Sequence, residues 1–149
     1  MTKRFKKEFF ITLFYKQNRW HNHGVFIHTL LVLFYVIKDK RYKMIAASIL
    51  HDIGKPFCAY QDEEDKITGE YSFTNHEEIS YQFIKNWTFI GDYTKSLVRY
   101  HYLLRGMNNA KKKNQIGKYH RMKRSFDKLD LAFINDLELF MKYDDLAKK

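Results

Sequence analysis

Apolar residues recur three and four positions apart along most of the chain, which is the spacing of one face of an α-helix. The alternation of apolar and polar residues that is typical of a half-buried strand is rare. Proline and glycine, which interrupt helices, are scarce, with one and six copies in 149 residues. We therefore expect an all-α fold of about six helices. The pattern predicts these helices over residues 6–16, 24–38, 42–53, 75–87, 92–104 and 119–148.

Several local signals mark where the predicted helices begin and end. Gly54 and Pro56 should end the third helix, because glycine can adopt a left-handed conformation there and proline cannot continue a helix. Asn75 is a good N-cap for the fourth helix, and acidic residues follow in its first turn. The acidic segment 62–71 predicts a surface loop, and the basic segment 105–118 predicts a mobile loop. The last predicted helix is long enough to be interrupted once.

The composition indicates a single domain over residues 1–149. Hydrophobic residues make up 45% of the chain and aromatic residues 17%, enough for a core that needs no disulfide or structural metal. Neither an internal repeat nor a linker rich in Gly, Pro or Ser is visible. We expect residues 1–20 to form an amphipathic N-terminal helix and residues 21–149 to form the core. The apolar run near the start is too short for a signal peptide, and no small-residue cleavage site follows it.

Cysteine content and hydropathy bear on the location of the chain. Cys58 is the only cysteine, so an internal disulfide is impossible. A reducing cytoplasm is the compartment that fits this composition. The most apolar stretch, residues 28–37, is too short and too interrupted to span a bilayer. We expect a cytoplasmic protein without membrane contact.

The chain carries a strong excess of positive charge. Lys and Arg number 27 against 17 Asp and Glu, which gives a formal net charge of +10. Such an excess favours anionic partners, such as nucleotides, nucleic acids and other phosphate esters, although it equally serves solubility alone. Part of it lies in segment 111–124, which is able to follow a nucleic-acid backbone. A merely solvated loop and helix face explains this segment slightly better. Its basic residues are Lys111, Lys112, Lys113, Lys118, Arg121, Lys123 and Arg124.

His51 and Asp52 end the third predicted helix and are the first candidates for chemistry. Consecutive helical positions lie about 100° apart, so the two side chains converge only if the helix end points at their common target. Neutral imidazole and carboxylate both bind divalent transition-metal ions. Ala46, Ala47 and Ser48, one turn earlier, allow neighbouring helices to come close. Taken alone, the pair is better explained by a hydrogen-bonded histidine and a helix-end aspartate.

Other polar residues in apolar surroundings change that balance. His28 lies within the apolar run VFIHTLLVLFYVI, where a polar side chain must be hydrogen-bonded or metal-bound. His76 opens the fourth predicted helix, and His101 lies in the apolar part of the fifth. Asp144 follows Phe140 by four residues and so lies near the buried stripe of the last helix. Ligands from separate helices that meet in a bundle form a known kind of metal site.

Five segments of the chain resemble, in order, the motif segments of the HD-domain metal-dependent phosphohydrolases. They are IHTLLVL around His28, AASILHDIGKP around His51 and Asp52, FTNHEEIS around His76, VRYHYLL around His101 and LELFMKYDDLAK around Asp144. The similarity spans about residues 20–149 and is nearest to the HD regions attached to bacterial CCA-adding enzymes. The complete set in order is a far more specific signal than any one segment.

The resemblance implies a centre that holds one or two divalent metal ions, of Mn, Fe, Ni, Co, Mg or Zn. The first ion would be bound by His28, His51, Asp52 and Asp144. A second ion would be bound by His76 and His101, with Asp52 as a bridge.

Two further aspartates compete with Asp144 for the place of the last ligand. Asp145 is its neighbour, and Asp136 lies at helical spacing between Phe133 and Phe140. The apolar stripe alone therefore does not separate the three. The match to the closing motif of the family favours Asp144.

The activity that the resemblance implies is hydrolysis of phosphate mono- or diesters of nucleotides or nucleic-acid ends by metal-activated water. Asp52 would be central to catalysis, and His76 or His101 would protonate the leaving oxygen if not bound to metal. Lys55 and Arg105 are candidates for contacts with the substrate phosphate. Lys55 equally suits a helix C-terminus, and Arg105 suits an exposed surface position better.

The alternative function is a non-catalytic HD-fold module that binds nucleic acid or a protein partner through its basic surface. The full set of six ligand positions favours the enzyme, because a binding module has no need of it. The other histidines, His21, His23 and His120, are expected at the surface. The sequence leaves open the substrate, the oligomeric state and the pathway.

Overall fold

A computed structural model describes residues 6–149 and places them in helices joined by short connections. The described residues contain no β-strand, only two isolated bridges, Asn18 with His21 and Tyr60 with Ser72. The expected all-α class is confirmed. None of the helices in this part of the chain is long and apolar enough to cross a membrane. The helices are α1 (Lys7–Phe14), α2 (Val25–Lys38), α3 (Ile45–Leu50), α4 (Lys55–Cys58), α5 (Glu63–Thr68), α6 (His76–Ile84), α7 (Asp92–Tyr100), α8 (Leu103–Lys112), α9 (Ile116–Phe126) and α10 (Leu131–Leu146).

The described residues divide into more helical segments than the six expected, because predicted helices are interrupted and short ones lie between them. The predicted helix 42–53 starts as a 3-10 turn, Tyr42–Met44, and continues as α3. The predicted helix 119–148 is divided into part of α9 and α10. At the start of α10, the carboxylate of Asp130 accepts a hydrogen bond of 2.8 Å from the amide of Phe133. This cap satisfies a helix-end donor and fixes the position of the break.

The expectation of a mobile loop over residues 105–118 is wrong, because α8 and the first residues of α9 occupy most of this segment. Leu103, Gly106 and Ala110 of α8 are buried, at the spacing of one helical face. Lysines and asparagines on the other faces conceal that pattern in the sequence. The loop expected over residues 62–71 likewise contains a short helix, α5, which has no buried residue.

The first helix is shorter than the amphipathic helix expected over residues 1–20. Residues 1–5 of that expectation lie outside the described residues, and residues 15–20 are not helical. The helix ends because the backbone of Tyr15 is extended, with φ −112° and ψ 165°. α1 packs against α2 and α4.

The buried core lies where α2, α3, α6, α7 and α10 meet. Each of these helices contributes at least one buried apolar side chain, and removing their surface from water stabilises the fold by about 25 cal/mol per Å². The candidate site borders this core, since the ring of Phe140 contacts the ring of His51 with centroids 5.4 Å apart. The core residues are Val32, Val36, Met44, Ala47, Ile84, Leu97, Val98, Leu137, Phe140, Tyr143 and Ala147.

Gly54 does not take the left-handed conformation expected of it, since its φ is −75° and its ψ −23°. A glycine suits this position because a Cβ would lie 2.6 Å from the carbonyl oxygen of His76 and 2.8 Å from the amide nitrogen of Ser80. The turn after α3 therefore approaches α6 closely. Pro56 does not end a helix but stands in the first turn of α4. Asn75 precedes α6 as expected, but in a left-handed conformation and without a side-chain cap.

Candidate metal centre

Four histidines turn the Nε2 side of their rings toward one region between the helices. His28 belongs to α2 and His76 is the first residue of α6. His51 and His101 directly follow α3 and α7. All four are buried, and the most exposed of them, His76, is 7% exposed.

A backbone carbonyl fixes the orientation of each ring. The Nδ1 atoms of His51, His76 and His101 lie 2.9, 3.0 and 2.6 Å from the carbonyl oxygen three residues earlier in the chain. Nδ1 of His28 lies 3.1 Å from the carbonyl oxygen of Ala147. Because a carbonyl oxygen only accepts, each Nδ1 carries a proton, and each Nε2 of a neutral ring presents a lone pair. Metal-binding histidines have this arrangement.

Asp52 lies at the centre of the four rings. Its Oδ2 is 3.3 Å from Nε2 of His51 and 3.5 Å from Nε2 of His28. Its Oδ1 is 3.4 Å from Nε2 of His76 and 3.7 Å from Nε2 of His101. The two oxygens thus face different pairs of histidines, as a carboxylate shared by two metal sites would.

Asp144 joins the first pair of histidines from α10. Its Oδ1 lies 2.9 Å from Nε2 of His28 and 3.7 Å from Nε2 of His51. The six predicted ligands therefore fall into two groups, and within each group the ligand atoms lie within 4.8 Å of one another. The groups are His28, His51, Asp52 and Asp144, and Asp52, His76 and His101.

The donor set fits a divalent cation. Nε2 of His51 and both carboxylate oxygens of Asp52 are buried and make no hydrogen bond. Leaving a buried acceptor unpaired costs roughly 1–3 kcal/mol, and a cation would remove that cost. Imidazole nitrogens with carboxylate oxygens suit the mid-transition divalent ions.

Burial and charge act against each other in this centre. Burial opposes ionisation of Asp52, but His51 and Lys55 outweigh it and hold the pKa of Asp52 well below its usual range. The pKa of Asp144 is lowered in the same way, chiefly by its histidine neighbours. Burial also opposes protonation of His51, yet the two carboxylates raise its pKa to about 9. Burial lowers the pKa of His76 to about 3. Two ionised carboxylates therefore give the centre its affinity for positive charge.

Lys55 lies inside the site. It is 4% exposed, its Nζ is 2.7 Å from Oδ2 of Asp52, and it lies 5.6 Å from the ring centroid of Phe73. The ammonium forms an ion pair with Asp52, although the two groups are not aligned as a hydrogen bond. Its contact with a substrate phosphate stays a prediction.

Arg105 forms ion pairs with both aspartates near the end of α10. Its Nη1 donates to Oδ2 of Asp144 over 2.8 Å, and its Nη2 donates to Oδ1 of Asp145 over 2.6 Å. The outer oxygen of Asp144 is thus held by Arg105 while the inner oxygen faces His28. The role of Arg105 toward substrate also stays a prediction.

Of the three candidate aspartates, Asp144 is the one whose carboxylate reaches the histidines. Asp136 accepts hydrogen bonds from Lys43 over 2.6 Å and from the hydroxyl of Tyr93 over 3.0 Å. Asp145 points outward, with 55% of its side chain exposed. The apolar stripe of α10 does not separate these three aspartates, but the angle at which α10 crosses its neighbours does, because it brings only Asp144 to the histidines.

His21 lies beside the candidate site, although its sequence position predicts an exposed side chain. It is only partly exposed, and its ring centroid lies 5.2 Å from that of His28. Burial, with the positive charge of Lys55, lowers the pKa of His21 to about 2. It lies in a connection between helices, where periodicity carries no information. His120 is exposed as expected, and His23 is half-buried.

An all-helical domain in which buried histidines and aspartates converge from separate helices belongs to the class of helical domains that build metal sites. The HD domain family model matches residues 25–132, which is more than two thirds of the chain. The chain belongs to the HD domain family, whose members are typically metal-dependent phosphohydrolases. Searches of curated proteins and of solved structures found no significant match. Asp144 lies beyond the matched residues, so its place at the site rests on the distances above.

Proposed function

We propose that this protein is a metal-dependent phosphohydrolase that cleaves phosphate mono- or diesters of nucleotides or nucleic-acid ends. The observation that carries the proposal is the convergence of four histidine Nε2 atoms on the two oxygens of Asp52. Four imidazoles around a carboxylate are a poor arrangement for stability alone, since Nε2 of His51 and both oxygens of Asp52 are buried without a hydrogen bond. They are a good arrangement for holding cations.

The residues divide into two ligand sets that share Asp52. One set is His28, His51, Asp52 and Asp144, and the other is Asp52, His76 and His101. Bound divalent ions would lower the pKa of a water molecule and balance charge on the phosphoryl oxygens. Asp52 would fix the spacing of the two sets, because each of its oxygens faces one of them. Where only the first set binds an ion, Nε2 of His76 or His101 would take a proton from the attacking water and pass it to the leaving oxygen.

Two cations flank the ligand sets and would support the substrate phosphate. Arg105 uses two of its five N–H donors on Asp144 and Asp145, so other N–H groups remain for a phosphate oxygen. Lys55 is held by Asp52, so its contribution toward substrate would be smaller. We propose both as substrate contacts, with Arg105 the stronger.

The test is the substitution Asp52→Asn, which keeps the side-chain shape and removes the charge. Purified protein is assayed for bound metal and for hydrolysis of a panel of phosphoesters with Mn, Fe, Co, Ni, Mg or Zn added. We expect activity to fall by at least ~100-fold, the scale of losing a central electrostatic group. Asp136→Asn is the matched control, because Asp136 lies on α10 but bonds to Lys43 and Tyr93 instead.

Unchanged hydrolysis after Asp52→Asn would contradict the proposal. The alternative, a non-catalytic module that binds nucleic acid or protein through its basic surface, would then take its place. Unpaired cations on α8 and α9 are the observation that favours this alternative. The resemblance to the HD regions attached to bacterial CCA-adding enzymes and the cytoplasmic location stay predictions.

A further inference from the structure

Helices α8 and α9 form a helical hairpin at the side of the domain. Residues 113–115 join them, and Asn114 takes a left-handed conformation with φ 53°. Gly106 of α8 allows the close approach of α9, since a Cβ there would clash with the side chain of Met122. None of the residues of α9 is buried, and this helix packs chiefly on α8. The outer helix therefore adds little to the core.

The hairpin presents positive charge without carboxylates. Residues 105–126 contain neither Asp nor Glu. Among the described residues, Lys123 has a partner, Asp127, which follows the end of α9. Apart from Arg105, which pairs with Asp144 and Asp145, the other hairpin cations are exposed and form no ion pair with the described residues, so their field is directed at solvent. They are Lys111, Lys112, Lys113, Lys118, Arg121 and Arg124.

One face of α8 connects the metal centre to these cations. Arg105, in the first turn, bonds to Asp144 of the centre. Lys112 lies seven residues later, on the same side of the helix and about 10 Å further along its axis. Tyr102 bridges the start of this path, because its ring lies 5.6 Å from that of His76 and its hydroxyl accepts a hydrogen bond from Asn109 over 3.4 Å.

We propose that the substrate is the phosphate at the end of a nucleic-acid strand, whose following phosphates lie along α8 and reach the hairpin cations. This inference rests on the function proposed above and names its substrate class. Successive phosphates of one strand advance at least about 3.4 Å, the spacing in a duplex, so up to about three nucleotides span the 10 Å from Arg105 to Lys112. A mononucleotide is too short to reach them. Tyr102 is placed where its ring would stack on a base near the end of the strand.

The test uses the triple variant Lys111→Gln, Lys112→Gln, Lys113→Gln and the unaltered protein. For each protein we measure binding and hydrolysis of a short end-phosphorylated oligonucleotide and hydrolysis of a mononucleotide. Binding of the labelled oligonucleotide, followed by fluorescence anisotropy, should weaken by at least ~10-fold at low salt. The slope of log K against log salt is negative, and its magnitude should fall by about two, since each of three lost phosphate contacts on a single strand contributes about 0.7. The ratio of kcat/KM for oligonucleotide over mononucleotide should fall as well.

The matched control removes the same charge elsewhere. Lys7, Lys38 and Lys85 are exposed, form no ion pair with the described residues, and lie on α1, at the end of α2 and after α6. Their triple replacement by Gln leaves the hairpin intact, so the binding slope and the kcat/KM ratio should stay at the values of the unaltered protein.

Two results would overturn the inference. In one, the hairpin variant and the control variant change oligonucleotide binding equally, which means that net charge alone is responsible. In the other, the unaltered protein hydrolyses the mononucleotide as well as the oligonucleotide. Failure of the proposed function would give a different result: Asp52→Asn would leave the hydrolysis of every phosphoester unchanged.

Discussion

Each histidine of the candidate metal centre is oriented by a hydrogen bond that lies outside the centre. In three of the four, the acceptor is the carbonyl oxygen three residues earlier, so the ring is fixed by its own stretch of backbone. The fourth, His28, depends on Ala147, which is distant in sequence. Such outer hydrogen bonds select the tautomer and raise the basicity of the ligand nitrogen. The centre is therefore preorganised before any cation binds.

Of Asp136, Asp144 and Asp145, only Asp144 has a carboxylate oxygen close to the Nε2 atoms of His28 and His51. Asp144→Asn removes the charge beside His28 and His51 while Arg105 remains in place. We expect the affinity for Mn²⁺ to fall by at least ~10-fold, measured by isothermal titration of metal-depleted protein. Asp145→Asn, one residue away, is the control and should bind Mn²⁺ nearly as well as the unaltered protein. Equal losses in the two variants would contradict the assignment.

At the scale of elements, the ends of short helices bring the ligands together. His51 and His101 follow the last residues of α3 and α7, and His76 is the first residue of α6. A helix end can direct two consecutive side chains toward one point, as the end of α3 does with His51 and Asp52, the two residues that follow it. The position of that end depends on the contact between the turn at Gly54 and α6.

Gly54→Ala tests this contact. The added Cβ would meet backbone atoms of α6, which cannot move aside as a flexible side chain would. We expect the free energy of unfolding to fall by about 1–3 kcal/mol, the range for overpacking, in urea titrations followed by circular dichroism.

Gly117→Ala is the control, and we expect it to change the free energy of unfolding in the opposite direction. Gly117 lies in α9, and a Cβ there would have no neighbour within 4 Å. Alanine favours the helix by up to about 1 kcal/mol, so this variant should be more stable than the unaltered protein. Destabilisation by both changes, or by neither, would contradict the packing described here.

At the scale of the whole molecule, the centre joins helices from both ends of the chain. α2 and α10 supply His28 and Asp144, which are 116 positions apart in sequence and 2.9 Å apart at their ligand atoms. A cation shared by these side chains would cross-link the first and last parts of the fold, and binding to the folded state alone raises stability.

Metal addition should therefore raise the melting temperature. At a metal concentration about 100-fold above Kd, the gain is about 2.7 kcal/mol. For a chain of this size that corresponds to roughly 5–10 °C in Tm, measured by differential scanning fluorimetry with Mn²⁺ against chelator. The double variant His51→Ala, Asp52→Ala should show no metal-dependent shift. A shift of the same size in that variant would place the responsible site elsewhere.

The sequence by itself determined the all-α class and the six candidate ligands. Helical periodicity is a property of neighbouring residues, so α2 and α6 are visible in the order of apolar side chains. A buried polar residue such as His28 also stands out against its apolar neighbours. The resemblance to the HD family rests on such local segments, and the family is confirmed.

Tertiary structure alone decided which residues meet. The closing motif of the family favours Asp144 over Asp136, but only the way in which α10 crosses its partners shows that its carboxylate reaches the histidines. The burial of His21 follows from where a helix connection lies, and the helical state of residues 105–118 follows from the packing of α8 against α9 and α10. Local pattern fixes which face of a helix is apolar, whereas the distance between atoms far apart in the chain depends on how the helices pack against each other.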